Sequence, residues 1–397
     1  MARPMRSPDD RRGRILATAS YFASVGLIGL VGGSVGPTLA PLAAQTGIGL
    51  STIGVALSAR SFGYLIGAVG AGRRLERRNA HRAIAFALLA AGVALSLIPV
   101  ARSLASLLPI MVVLGCMLAT LDVGTNTLLL RRHGEGAAPY LNALHFSYGL
   151  GALAAPFLVA AVATPEVPLS WTYWTLAVVP VPVAFVLFRV PPPPRQSPAD
   201  GRDGTPAARV SALPTAIAFL YGGAEAVFTS WLYTFVDSHA GAMTATNISG
   251  ASWAAFSLFR LAGVVVARRA TPSRILVVDY VASLLFVVPL LALPGVGWAM
   301  WIGAAGVCAA IASIYPTTII LFSRGRPLSA RFVSTIIVAS CLGSMVFPWL
   351  TGRLLPVSGP VAVPAVTVGL LVVAFAGTLG YLAKQRTSSA ISEAHEA

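Results

Sequence analysis

Twelve long apolar runs dominate this chain, and they restrict what it can fold into more than any other feature. They fall at about 15–40, 51–72, 81–101, 104–130, 139–163 and 170–188, then at 213–236, 244–267, 274–293, 296–322, 329–352 and 360–383. Each is long enough for a helix to cross the roughly 30 Å hydrocarbon core of a bilayer, which takes about 20 residues. Only 10% of the 397 residues are charged, against roughly 25% in soluble domains, and mean hydropathy is +0.79. So few charges cannot cover a water-soluble surface of this size. In lipid, each backbone polar group must find its partner inside its own segment, so the runs are read as helices. The expected fold class is an all-α membrane protein, with twelve transmembrane helices in two pseudo-symmetric six-helix bundles.

A segment rich in proline and polar residues, VPPPPRQSPADGRDGTPAARVSA, separates the sixth run from the seventh and reads as a linker. The expected organisation is a cytoplasmic tail (1–14), an N-terminal bundle (15–189), a cytoplasmic linker (190–212), a C-terminal bundle (213–384) and a second tail (385–397). The net charge of +15 does not point to nucleic acid, because the arginines sit between apolar runs. Apart from Arg60 and Arg260 inside spans, every Lys and Arg except Arg102 and Arg353 lies in a tail or in alternate loops on one side. That asymmetry orients both termini toward the cytoplasm, and the plasma (inner) membrane is the expected location. The basic N-terminus leads into a full-length span with no small-residue cleavage site, so it reads as a tail and not a signal peptide. Cys116, Cys308 and Cys341 lie in apolar segments far from one another, which implies packing, with no disulfide and no metal.

The two halves echo each other. Gly151 and Pro156 in span 5 have the spacing of Gly343 and Pro348 in span 11, 192 residues on, and the same offset maps Arg132 onto Arg324. Arg60 and Gly63 in span 2 resemble Arg260 and Gly263 in span 8. Parallel six-helix repeats of this kind place a substrate site between the halves near mid-membrane.

A charge within a span costs about 2.5–3.5 kcal/mol on insertion scales. Arg60, Asp122, Glu225 and Arg260 each lie near the middle of a span, so they are expected to face a polar cavity or to pair with one another. Asn126 follows Asp122 by four residues and shares its helical face. Glu225 stands in an apolar and aromatic stretch, FLYGGAEAVFTSWLYTF, one turn after Tyr221, where a carboxylate can exchange a proton. His145, read as the only histidine inside a span, shares a polar stripe with Asn142 and Tyr148. Trp231 is a candidate for the cavity wall, whereas Trp253 reads as packing. Arg60 and Arg260 either bind an anionic group of the substrate or neutralise the carboxylates. The glycines of span 5 imply close helix packing.

No Walker loop, zinc pattern or nucleophile elbow is present, so no enzyme is expected. No cofactor is expected either, only H⁺ or Na⁺ as a transported ion. The reading is a secondary active transporter for a small polar organic solute, a sugar among the candidates. The rivals are a proton-antiport exporter of drugs or metabolites and a non-transporting membrane receptor. Expected partners are that solute and the lipid bilayer.

The loop GRRLERRNAHR, from Gly72 to Arg82, resembles the signature loop of the major facilitator superfamily: Gly72, Glu76 and Arg77 match, and Asn79 replaces a second glycine. The stretches DVGTNTLLL, LNALHFSYGLGALAAP and YGGAEAVFTSWLYTF resemble the branch holding the sodium-dependent glucose transporter and, more distantly, the fucose permeases. ARSFGYLIG, SIYPTT and CLGSMVFPWLTG extend the likeness along the chain. The resemblance implies twelve helices, alternating access and a monomer. It further implies that Gly72, Glu76 and Arg77 act as a conformational latch, and that Arg60, Asp122, Asn126, Asn142, His145, Glu225 and Arg260 are cavity positions. Few amides lie within the spans, which does not favour a hexose, whose hydroxyls each want a partner.

Overall fold

The computed structural model describes residues 8–77, 79–163, 168–193, 212–323 and 330–396. In chain order the helices are α1 (Pro8–Gln45), α2 (Leu50–Arg77), α3 (Ala80–Leu97), α4 (Leu104–His133), α5 (Ala138–Val162), α6 (Ser170–Val178) and α7 (Pro180–Arg189). They continue as α8 (Ala212–Ala240), α9 (Ala242–Val266), α10 (Pro272–Ala292), α11 (Gly297–Ile311), α12 (Ile314–Ser323), α13 (Ala330–Ser358) and α14 (Ala362–Glu396). Among the described residues they supply twelve spans long and apolar enough to cross a membrane, with α6 and α7 sharing one and α11 and α12 another. Large apolar side chains stay exposed along them, including Phe62, Phe86, Val278 and Leu285, which is tolerable only where lipid is the solvent. The molecule is an integral, multi-pass membrane protein.

Local chemistry sets the helix ends. Ser103 and Ser106 exchange hydrogen bonds as a capping box at the start of α4, Ser106 N donating to Ser103 Oγ (3.3 Å) and Ser103 N to Ser106 Oγ (3.2 Å). Asn79, where the sequence lacks a glycine, caps α3 by accepting from Arg82 N (3.4 Å). Prolines make the two breaks. Pro316 has no N–H to offer and its ring crowds the carbonyl four residues back, at Ala312. Span 10 accordingly opens at Ala312 and Ser313, between α11 and α12.

The chain divides into two compact units, Met1–Thr205 and Pro206–Ala397. In the first, α2 packs on α4 and α1 on α5. In the second, α8 packs on α13 and α9 on α11. Glycine permits the closest approaches: a Cβ on Gly115 would stand 1.9 Å from the Arg60 carbonyl oxygen, and one on Gly151 2.0 Å from that of Gly26. On Gly343 it would stand 1.9 Å from the Phe219 carbonyl oxygen. The paired glycines seen in the repeat, Gly151 and Gly343, therefore do the same work in each unit.

Two boundaries differ from expectation. Helix α1 begins at Pro8, inside the segment read as a tail, and α14 runs to Glu396 through the segment read as the second tail. Both stretches are polar, and hydropathy registers the lipid-facing part of a helix while being blind to helix that continues beyond the bilayer. Most of the central linker lies outside the described residues.

Candidate functional site

The first unit holds two separate polar centres. At one, the close α2–α4 contact brings Tyr64 to Asp122, and the Tyr64 hydroxyl donates to Oδ2 of the half-buried Asp122 carboxylate in a very short hydrogen bond. Asn126 Nδ2 donates to Oδ1 at 2.9 Å and to the Asp122 backbone carbonyl, also at 2.9 Å. Both carboxylate oxygens thus accept from neutral donors. Hydrogen bonds of this kind to a carboxylate stabilise its charge inside a span.

At the other centre, Arg60 of α2 interacts electrostatically with the hydroxyls of Tyr148 on α5 and Tyr173 on α6. Arg60 thus meets Tyr148 and Tyr173, whereas Asp122 meets Tyr64 and Asn126. Arg60 also lines a cavity of about 30 Å³, together with Ser34, Thr38, Leu57, Leu114 and Tyr173. On α5, Asn142 and Tyr148 are half-buried and His145 is exposed on its unit.

In the second unit, Glu225 of α8 is half-buried. Arg260 of α9 acts on it through space, and the Tyr221 hydroxyl lies beside its carboxylate. That hydroxyl also donates to the Ile311 carbonyl at 2.8 Å, at the end of α11 next to the break in span 10, so it ties the surroundings of Glu225 to that break. The Arg260 guanidinium sits over the Phe256 ring, 5.2 Å from its centroid. Cys308 is buried beside Ser252 and within reach of Glu225.

Three sequence readings are corrected. Trp231 is 0% exposed and its indole N–H donates to the Pro348 carbonyl (3.0 Å), so it packs α8 against α13. His145 is not the only histidine in a span. His81 lies in α3, fully buried, with Nε2 2.6 Å from the Tyr21 hydroxyl and Nδ1 2.7 Å from the Val190 carbonyl oxygen. His81 belongs both to the basic loop from Gly72 to Arg82 and to the start of the third apolar run, and the loop's charge masks its place in the span. Asp279 of α10 was passed over because it lies near the end of its span. It is half-buried and accepts a hydrogen bond from Ser313 at the break in span 10. Tyr64, Thr38 and Tyr173 were also missed. Only the helix pairing identifies them, although an aromatic hydroxyl in a small-residue span (Tyr64, beside Gly63 and Gly67) was a usable hint. The side chains of Gly72, Glu76 and Arg77, the expected latch, fall outside the described residues.

Two six-helix units with ionisable side chains buried in each define a polytopic membrane transporter. The family model described as Major Facilitator Superfamily matches residues 21–348, and the chain belongs to that superfamily. Family and relatives are transporters and not enzymes. The chain is 24% identical over 375 residues to the sodium-dependent glucose transporter 1A of Mus musculus, covering 84% of this chain and 88% of that protein. It is 24% identical over 368 residues to the sodium-dependent glucose transporter 1 of Homo sapiens, with 82% and 71% covered. Among solved structures it resembles the nucleoside transporter NupG, with a TM-score of 0.70, 12% identity and 94% and 98% of the two chains covered. A variant of the E. coli fucose:proton symporter FucP gives 0.62, 18%, 92% and 97%. At these identities the solved structures establish the fold alone.

Proposed function

We propose that the chain is a secondary active transporter moving a small polar organic solute by alternating access, with H⁺ or Na⁺ as the coupling ion and a sugar as the leading candidate. The observation that carries this reading is a half-buried carboxylate inside a span of each unit, Asp122 in the first and Glu225 in the second, each held among hydroxyl, amide or guanidinium groups. A membrane-embedded carboxylate that gains and loses a cation converts an ion gradient into a change of local charge, and such residues mark ion and substrate pathways. The names of the curated relatives, sodium-dependent glucose transporters, support both the sugar and the ion. So do the fucose:proton and D-xylose–proton symporters among the similar structures. Asn126, Asn142, His145, Tyr148, Tyr221, Arg60 and Arg260 are the polar groups offered to the solute or to the carboxylates, and Gly72, Glu76 and Arg77 are the proposed latch. The export reading drew on the aromatic character of span 7. Tyr221, Phe228 and Trp231 are all buried by packing, which removes its support. The proposal includes cytoplasmic termini, which the arginine asymmetry supports, and a monomer in the plasma (inner) membrane.

The test is transport in proteoliposomes, using labelled D-glucose, L-fucose, D-xylose and uridine under an imposed pH or Na⁺ gradient. Gradient-driven accumulation of one of them is expected, and Asp122→Asn or Glu225→Gln should abolish accumulation while leaving counterflow exchange. Accumulation that survives both substitutions removes the coupling role. If no gradient drives any of these solutes, the symport reading fails.

A further inference from the structure

The chemistry of the wall restricts what can occupy the cavity beside Arg60. That cavity lies within the first unit, among α1, α2, α3, α4 and α6, and Arg60 is the one charged group on its wall. The other polar groups of that wall have turned their protons away. Tyr173 donates to Thr38 Oγ1 (3.1 Å), Thr38 to the Ser34 carbonyl (2.8 Å), and Ser34 to the Val31 carbonyl (2.9 Å). This relay ends on backbone, so the donors left for a guest are those of the guanidinium, which presents five N–H groups and accepts none. Most of the remaining wall is aliphatic, including Val31, Leu57 and Leu114.

Size and charge then narrow the choice. The cavity is about 30 Å³, and one water needs roughly 10–15 Å³ on this scale, so it admits a single small ion or a water or two. Arg60 repels a cation. Water is small enough but leaves a full positive charge uncompensated inside a span, where an isolated charge is disfavoured. The carboxylate nearest in sequence logic, Asp122, is engaged by Tyr64 and Asn126, and the groups acting on Arg60 are tyrosines. We propose that this cavity is a binding site for a small monovalent anion of chloride size, held by the Arg60 guanidinium and bordered by the apolar wall. The anion neutralises Arg60 and thereby secures the packing of the helices around it. This inference assigns Arg60 to the anion in place of the solute or a carboxylate, and it holds whichever solute is transported and whether or not transport is ion-coupled.

The experiment is equilibrium binding of ³⁶Cl⁻ to the purified full-length protein in detergent, with a chloride-dependent thermal melt at constant ionic strength and gluconate as the replacing ion. Saturable binding is expected, displaced by bromide and not by gluconate, with a rise in Tm of about 2–4 °C at saturating chloride. Arg60→Gln should abolish both signals and Arg60→Lys should weaken them. Arg260→Gln, in the other unit, should leave both intact. Should Arg60→Gln fail to fold, Leu114→Phe keeps the charge and fills the cavity, and it should abolish binding by itself. Absence of saturable binding in the wild type overturns the proposal. So does binding that survives both Arg60→Gln and Leu114→Phe, or that is lost with Arg260→Gln alone.

Discussion

The two units share their packing and differ in their electrostatics. Each sets a glycine of its fifth helix against the backbone of its first: Gly151 on Gly26, and Gly343 on Phe219. Each carries an arginine in its second span and a carboxylate within another, and the second unit adds Asp279 in α10. In the first unit the two charges are kept apart, Asp122 by Tyr64 and Asn126, and Arg60 by a cavity and two tyrosines. In the second they act on each other, with Arg260 in reach of Glu225 and the neighbouring Tyr221 tied to the Ile311 carbonyl. Backbone contact tolerates no variation, because a Cβ fits or does not. A buried charge can be satisfied in several ways, so it diverges between repeats that keep the same fold.

The largest effects should come from breaking what the units share. Gly115→Val and Gly343→Val each push a side chain into a carbonyl oxygen, which exceeds the 1–3 kcal/mol typical of overpacking. Gly151→Val, the counterpart of Gly343→Val, pushes into the Gly26 carbonyl oxygen in the same way, and these variants should leave little folded protein by size-exclusion chromatography. Gly380→Val, with nothing within 4 Å of its new Cβ, should change the melt by no more than about 0.5 kcal/mol equivalent. A loss confined to Gly151→Val or to Gly343→Val would show that the packing is not shared.

Next come double-mutant cycles on the charges, which sharpen the difference. Glu225→Gln with Arg260→Gln should show a coupling energy of about 1–2 kcal/mol, whereas Asp122→Asn with Arg60→Gln should be additive within about 0.5 kcal/mol. Equal couplings in denaturant titrations would erase the contrast drawn here. Asp122→Leu, which removes the acceptor for Tyr64 and Asn126, should cost about 1–3 kcal/mol, and Tyr64→Phe should recover part of that loss when combined with it.

The smallest effect is that of Trp231→Phe. It removes the hydrogen bond to the Pro348 carbonyl and keeps an aromatic ring, so the thermal melt should report a loss of about 1 kcal/mol. A loss above 3 kcal/mol would mean that the indole does more between α8 and α13 than one hydrogen bond.

Much of the fold was legible before any coordinates. Twelve spans, their positions and the repeated glycines follow from the sequence, because burial in lipid is decided by apolar length, which sums locally along the chain. The candidate site was legible only in part. Asp122, Glu225, Arg60 and Arg260 announce themselves as charges that a span cannot hold without help. Which group supplies that help is a matter of how neighbouring helices are rotated and how closely their backbones approach. Tyr64 reaches Asp122 because Gly63, Gly67 and Gly115 let α2 and α4 close on each other. Asp279 gains its partner because Pro316 opens span 10 at Ser313. Trp231 disappears into packing because the Pro348 carbonyl stands opposite its N–H. Local hydropathy therefore determined that this chain crosses the membrane and where it does so. Tertiary packing alone decided which charge meets which donor, since those meetings depend on surfaces from segments far apart in the chain.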